Sequence, residues 1–421
     1  MGLTLFSMFF GAGNLIFPPF MGALAGEHVW AAFAGFVVSA IGLPVLGVAA
    51  VAFSDGLPAL AGRVHPVFAS VFTLLVYLAI GPCLAIPRTA GTSFEMAVTP
   101  FLQPGMPSKL LLILYSIGFF AIAAFMAMRP EKLSDRLGKI LGPVLLILIA
   151  IIFIGCIMKG SQGFGETAAL YRAKPAGRGF QDGYQTMDMI AALNFGIIIS
   201  MNIRAKGVEK KGSIVKETIF SGLFAGAMLL IVYAALTQIG SAAGGALGAG
   251  ENGAQTLSMV VDALFGHAGN IILGAIFFIA CLNTCTGLLS CCSEYFTSIW
   301  PKISYRMWVI IFAVFSAVIA NAGLTTILKI SVPILSVIYP PAIMLIVLAF
   351  LHTWIKDYTK VYPCVIGLTV VCSVIAVLGR KGILPEILKG LPLYSMELEW
   401  VWAALLGLII GLLFGKKKQN H

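Results

Sequence analysis

The sequence predicts an all-α integral membrane protein of about 12 transmembrane helices. Three observations carry that expectation: 59% of the 421 residues are hydrophobic, only 10% are charged, and the charged residues cluster between long apolar runs. Soluble domains carry about 25% charged residues, so a cytosolic globule is excluded. A spanning helix needs about 20 apolar residues, and a chain of this length with short loops holds roughly a dozen. No stretch is long or polar enough for a separate soluble domain.

In chain order, spans are expected near 3–25, 29–53, 66–90, 109–128, 140–158, 184–203, 214–240, 268–293, 306–322, 331–351, 361–380 and 397–414. With both termini cytoplasmic, the inner loops collect Arg63, the cluster Arg129 to Lys139, the cluster Arg204 to Lys216, Lys302, Arg306, Lys356, Lys360 and the tail Lys416-Lys417-Lys418. That is the bias the positive-inside rule requires, and it accounts for the net charge of +10 without a nucleic-acid partner. The exception is the loop 159–183, expected outside although it carries Lys159, Arg172, Lys174 and Arg178.

The first span has no charge before Leu3 and is interrupted by glycines and by Pro18-Pro19, unlike the unbroken apolar core of a secretory signal. The chain opens abruptly inside a helix, so further residues are expected to precede Met1 in the natural protein. Glycines at 407, 411 and 415 in the last span, and at 222 and 226 in the seventh, recur every fourth residue and let helix backbones approach closely. Packing within the bundle is the preferred reading over a dimer interface, and the oligomeric state is left open. The eight cysteines lie within or at the ends of apolar segments rather than in polar loops, so neither a disulfide framework nor a zinc site is expected. Cys281 and Cys285 read as packing residues, with no cofactor and no metal beyond a transported cation.

The run Phe10-Gly11-Ala12-Gly13-Asn14 is expensive as plain helix in a bilayer, because glycine weakens the helix and freed backbone groups find no water. Unwound, it would aim the N–H groups of the following half-helix at an anion and leave carbonyls for a cation or an ammonium. Asn14 has three open roles here: cation ligand, substrate contact or cap of the half-helix. The sixth span offers a counterpart in Leu193-Asn194-Phe195-Gly196-Ile197, where a second interruption is expected. Two interrupted helices, one opening each group of five spans, mark an inverted-repeat transporter. On that reading residues 1–160 form the first repeat, 161–352 the second, and 353–421 the last two spans and a cytoplasmic tail. The third and eighth spans would then be equivalent, and both run through small and polar residues to a glutamate, Glu95 and Glu294.

The eighth span contains Ala280-Cys281-Leu282-Asn283-Thr284-Cys285-Thr286-Gly287, whose oxygens suit a hard cation such as sodium. Thr286 reads better as a hydroxyl bonding back to its own helix, whereas Asn283 and Thr284 stay open between the two roles. Asp188 is the one acid placed well within a span. It has three open roles: binding a coupling ion or proton, binding a substrate amine, or capping the sixth helix near its outer end. Arg88 and Lys329 fall near span ends, where snorkelling to the interface is the ordinary account.

At Phe9-Phe10-Gly11-Ala12-Gly13-Asn14-Leu15-Ile16-Phe17-Pro18-Pro19 the chain resembles the bacterial branched-chain amino acid:cation symporters, the system II carriers for leucine, isoleucine and valine. Gly26-Glu27-His28-Val29-Trp30, Ala85-Ile86-Pro87-Arg88-Thr89-Ala90, Thr186-Met187-Asp188, Ile330-Ser331-Val332-Pro333 and Ile338-Tyr339-Pro340-Pro341 add to the likeness, which extends over nearly the whole chain. That family is similar to the amino acid transporter superfamily with the leucine-transporter fold of five plus five inverted spans. The resemblance implies that Gly11, Ala12, Gly13 and Asn14 hold the substrate carboxylate on an unwound helix 1, and that Leu193-Asn194-Phe195-Gly196 places an aromatic ring on the substrate side chain. It likewise implies a cation site from Ser7, Phe10, Ala280, Asn283 and Thr284. The sequence departs from the superfamily pattern in carrying asparagine where a hydroxyl residue is usual in that site, Asn194 where glycine is favoured, and Ala192 where a hydroxyl would help bind the amine.

The function expected from this resemblance is import of leucine, isoleucine and valine by symport with Na+ or H+, through alternating access, in the bacterial inner (plasma) membrane. The alternative is symport of another small neutral amino acid or solute. A zwitterion suits the predicted site: carboxylate to half-helix N–H groups, ammonium to free carbonyls, and an aliphatic side chain to an apolar pocket from Phe195, Leu288 and neighbours, with Ala192 nearby. A membrane enzyme is not expected, since the five histidines fall in separate loops or ends and no paired carboxylates share a span. Two broken helices with a midplane pocket favour occlusion over an open channel.

Overall fold

The computed structural model describes residues 1–103, 105–128, 143, 146, 147, 149–158, 163–205, 207, 208 and 210–415. Its helices are α1 (Gly2–Phe9), α2 (Ala12–Ala25), α3 (Val29–Val37), α4 (Leu43–Ser54), α5 (Leu57–Gly62), α6 (Pro66–Leu78), α7 (Ala85–Ala97), α8 (Ser108–Ala127) and α9 (Ile149–Met158). They continue as α10 (Ala169–Arg172), α11 (Pro175–Tyr184), α12 (Asp188–Ala205), α13 (Lys211–Leu247), α14 (Gly253–Ile299), α15 (Tyr305–Ala320), α16 (Leu324–Ile355), α17 (Val361–Arg380) and α18 (Trp400–Phe414). The fold is all-helical, as the composition requires. Of the basic clusters on which the topology was argued, residues 129–139, Lys159 and the tail 416–418 lie outside the described residues.

Among the described residues, seven continuous helical stretches are long and apolar enough to cross a membrane, among them Ala12–Ser54 (43 residues) and Gly253–Ile299 (47 residues), and α9, α15 and α18 are shorter apolar helices. The longest stretches turn where glycine takes a left-handed backbone. Gly26 (φ 53) separates α2 from α3, and Gly266 (φ 63) divides α14 into a short arm and a spanning portion. A Cβ would strain either turn. Each of the predicted segments contains helix, and large apolar side chains such as Phe220 (69% exposed), Val318 (69%) and Leu413 (74%) form the outer surface that lipid covers.

Glycines set the helix crossings by letting backbones touch. A Cβ at Gly22 in α2 would stand 2.2 Å from the Thr237 carbonyl oxygen of α13, and one at Gly240 would stand 1.9 Å from the Pro19 carbonyl oxygen. Gly226 faces Val45 of α4, and Gly407 and Gly411 of α18 face the backbone at Cys364 and Val361 of α17, so the regularly spaced glycines pack within the bundle.

The sixth segment departs from expectation. Residues 175–183, expected in an outer loop, fall in α11, which lies across α3. A Cβ at Gly179 would meet the Ala32 carbonyl oxygen at 1.8 Å, and one at Gly35 would meet the Ala176 carbonyl oxygen at the same distance. The glycines and the Arg178–Asp182 ion pair at 2.9 Å make this segment read as a polar loop, yet the glycines serve the crossing and the charges pair one helical turn apart.

Candidate functional site

Helix 1 is broken between α1 and α2. The Phe10 N–H donates to the Phe6 carbonyl oxygen at 2.8 Å, and the backbone then extends through Gly11 (φ −116°, ψ −171°) before α2 starts. Within α2, Asn14 accepts the Gly11 N–H on Oδ1 at 3.0 Å, so it caps the half-helix. Pro18 and Pro19 supply no N–H, which leaves the carbonyls of Asn14 and Leu15 without their helical donors.

Helix 6 is broken at Gln185-Thr186-Met187, between α11 and α12, and not at 193–197, where α12 runs unbroken. Met187 adopts φ 63, uncommon for any residue but glycine. The Asp188 N–H donates to Thr186 Oγ1 at 3.4 Å, and Thr186 Oγ1 donates back to the Gly183 carbonyl at 2.9 Å. Gly196 answers to packing instead of unwinding: a Cβ there would lie 3.1 Å from the Val48 carbonyl oxygen of α4.

The two breaks meet through side chains. Asn14 Nδ2 donates to Asp188 Oδ2 at 2.6 Å and also to the Tyr233 hydroxyl oxygen, while Tyr233 OH, from α13, donates to the same Asp188 oxygen at 2.9 Å. Asp188 is 3% exposed and opens α12 beside the break. Its carboxylate meets Asn14 and Tyr233 from other helices.

Arg88 also departs from expectation. It does not snorkel: it is 4% exposed, and Nη1 donates to the Gln185 carbonyl oxygen in the helix 6 break at 2.6 Å. Its guanidinium carbon lies 5.6 Å from the Phe17 ring centroid, and a Cβ at Gly13 would stand 2.8 Å from Nη2. The span predicted to end near residue 90 continues in α7 to Ala97, which puts Arg88 inside the helix. Lys329, by contrast, is exposed.

Helix α14 approaches the first break, since a Cβ at Gly11 would lie 3.4 Å from Thr284 Oγ1. Asn283 Oδ1 is buried with no hydrogen-bond partner among the described residues, while Thr286 Oγ1 donates to its own Leu282 carbonyl at 2.8 Å. Ala280 and Leu288 are buried on the same helix. Phe10 is buried and stacked on Phe6, and the side chain of Ser7 lies outside the described set. Ala12 is buried in the first turn of α2. The Phe195 ring, 5.9 Å from that of Phe9, sits about 10 Å along α12 from Asp188 at 1.5 Å per residue. Ala192 turns its Cβ toward Gly47, to within 3.3 Å of where a Cβ there would stand.

Gly11, Gly13, Asn14, Thr284 and Asp188 thus converge, and Arg88, Tyr233 and Gln185 join them without having been singled out for the site. The signal was present but faint: a tyrosine closing the apolar run Leu229-Leu230-Ile231-Val232, and the polar pair Gln185-Thr186 shortly before Asp188. More polar atoms near the second break lack partners among the described residues: Gln185 Oε1, Tyr184 OH, and the OH of Tyr339, whose ring stacks on that of Tyr184 at 4.1 Å.

Comparison with known proteins agrees with this architecture. The branched-chain amino acid permease BraB of Bacillus subtilis is 40% identical, covering 99% of this chain and 96% of its own length. The branched-chain amino acid permease BrnQ of the same organism is 41% identical, covering 97% and 94%. The branched-chain amino acid transport system 2 carrier protein of Pseudomonas aeruginosa is 36% identical, covering 100% and 97%. Among solved structures, MhsT in complex with L-phenylalanine superposes with a TM-score of 0.57 at 17% identity, covering 98% of this chain and 97% of that one. A Na+-coupled sialic acid symporter gives 0.57 at 15% identity, covering 100% and 90%. These likenesses establish the leucine-transporter fold, a multi-pass membrane architecture and not that of an enzyme. A family model described as branched-chain amino acid transport protein matches residues 1–418, and the chain belongs to that family.

Proposed function

We propose that this protein imports leucine, isoleucine and valine by symport with a cation, Na+ or H+, through alternating access. The observation that carries the reading is the meeting of two helix breaks, at Gly11 and at Gln185–Met187, across the buried Asn14–Asp188–Tyr233 cluster. Backbone N–H and carbonyl groups released at such breaks recognise charge within a bilayer, where no water competes. Family membership and relatives named as branched-chain amino acid permeases support the substrate class.

In this proposal Gly11, Ala12, Gly13 and Asn14 bind the substrate backbone, and Phe195 and Leu288 line the side-chain pocket with Ala192 behind them. Ser7, Phe10, Ala280, Asn283 and Thr284 form the cation site, for which the approach of Thr284 to Gly11 and the unpartnered Asn283 oxygen are the supporting geometry. Residues 1–160 and 161–352 act as the two inverted repeats, each opened by a broken helix, and they rock about the central site while 353–421 stays peripheral. Uptake of labelled leucine into proteoliposomes decides the matter. Uptake driven by a sodium or a proton gradient, and competed by unlabelled isoleucine and valine, is the expected result. No gradient-dependent uptake with either ion would sink the proposal, and competition by alanine alone would move the substrate to another small neutral amino acid.

A further inference from the structure

We propose that Arg88 and Asp188 are the two charged poles that read the zwitterion, the guanidinium taking the α-carboxylate and the carboxylate taking the α-ammonium. This rests on the transport reading above and assigns side chains where backbone groups alone were expected. Both residues are almost fully buried, at 4% and 3% exposure, and among the described residues neither forms an ion pair within 4.0 Å. An isolated buried charge is costly unless something compensates it. Arg88 has the Gln185 carbonyl, the Phe17 ring face and, beyond ion-pair distance, the charge of Asp188 for that purpose.

The geometry matches the ligand at both poles. A guanidinium carries five N–H donors in a planar fork suited to a carboxylate, and Arg88 spends one of them, Nη1 on Gln185, in the described structure. Its Nη2 rests over Gly13, beside the start of the half-helix whose N–H end favours an anion. Asp188 accepts Asn14 and Tyr233 on Oδ2 and has Thr186 beside it, against about four lone-pair sites on an ionised carboxylate. Gln185, which anchors Arg88, and Asp188 are three residues apart, so the chain between them spans at most about 11 Å. On this proposal a small α-amino acid held between the two poles neutralises both. An amine or an acid alone leaves one of them buried and unpaired. The unpartnered Gln185 Oε1, Tyr184 OH and Tyr339 OH stand ready as further polar contacts.

The test compares leucine with leucinamide, which lacks the anionic carboxylate, and with 4-methylpentanoate, which lacks the ammonium, by ligand-induced thermal stabilisation of the purified full-length protein. In the wild type each analogue is expected to bind at least about 30-fold more weakly than leucine. Arg88→Gln should weaken leucine to the level of leucinamide while leaving leucinamide within about threefold of its wild-type value, and Asp188→Asn should do the same to the gap between leucine and 4-methylpentanoate. A gap between leucine and leucinamide that survives Arg88→Gln overturns the assignment of Arg88. A surviving 4-methylpentanoate gap in Asp188→Asn overturns that of Asp188. Should Arg88→Gln not fold, Arg88→Lys carries the test: it keeps the charge but not the fork, and a gap that does not narrow by about tenfold counts against Arg88. Wild-type protein that binds leucinamide within threefold of leucine overturns the inference directly. Wild-type protein that binds no leucine removes the transport reading instead.

Discussion

Replacing Gly13 by alanine separates a damaged site from a damaged fold. The new Cβ would stand 2.8 Å from Arg88 Nη2, 3.3 Å from Cζ and 3.5 Å from the Gln185 carbonyl oxygen, and restoring ordinary contact at 3.4 Å moves the guanidinium by about 0.6 Å. The nearest obstruction is the end of a flexible side chain, so the helices need not part. The displaced guanidinium would miss the substrate carboxylate, forfeiting a charge-assisted hydrogen bond of the kind that contributes about 1.5–3 kcal/mol. At about 1.4 kcal/mol per decade, leucine affinity should fall by roughly 10- to 150-fold. The matched control is Gly240→Ala, whose Cβ would meet the Pro19 carbonyl oxygen at 1.9 Å, where backbone must give way and overpacking costs about 1–3 kcal/mol or more. Melting temperature in detergent and labelled-leucine uptake are measured for both variants. Gly13→Ala should melt near the wild type with a strongly raised KM, and Gly240→Ala should melt lower. A Gly13→Ala protein with unchanged leucine KM would refute the placement of substrate against Gly13 and Arg88, and Gly13→Val should deepen the loss to no transport at all.

Further outcomes follow from other contacts. Tyr233→Phe removes a donor from the buried Asp188 carboxylate without changing shape, and should cost about 1–3 kcal/mol in stability or substrate binding, read by thermal melts with and without leucine. Gly179→Val places a branched side chain where even a Cβ would stand 1.8 Å from the Ala32 carbonyl oxygen, so it should prevent α11 from seating on α3 and abolish folded expression; a well-folded variant would show that the crossing is not rigid. Thr284→Ala should weaken the apparent affinity for the coupling ion more than that for leucine in ion-dependent uptake, and an equal loss of both would count against a cation role.

The family was legible in the run from Phe9 to Pro19, and so was the break of helix 1, because Gly11 and Gly13 ahead of two prolines oppose helix by purely local means. The break of helix 6 was misplaced by several residues for the opposite reason. Asn194 and Gly196 look like an interruption, yet Gly196 serves the approach of α12 to α4, and the true break at Gln185–Met187 follows a segment whose glycines and charges disguise it as loop. Arg88 looked peripheral because the end of its helix was drawn near residue 90, seven residues short of Ala97.

By itself the sequence determined the class, the approximate spans and the first break, since bilayer burial and backbone propensity depend on composition over about 20 residues. Only the tertiary structure decided what the polar groups do. Asn14 meets Asp188 across 174 residues of sequence and Tyr233 across 219, and Arg88 reaches Gln185 across 97. No local pattern encodes such pairings. They arise because a buried donor, acceptor or charge must find its partner wherever helix packing brings one within reach.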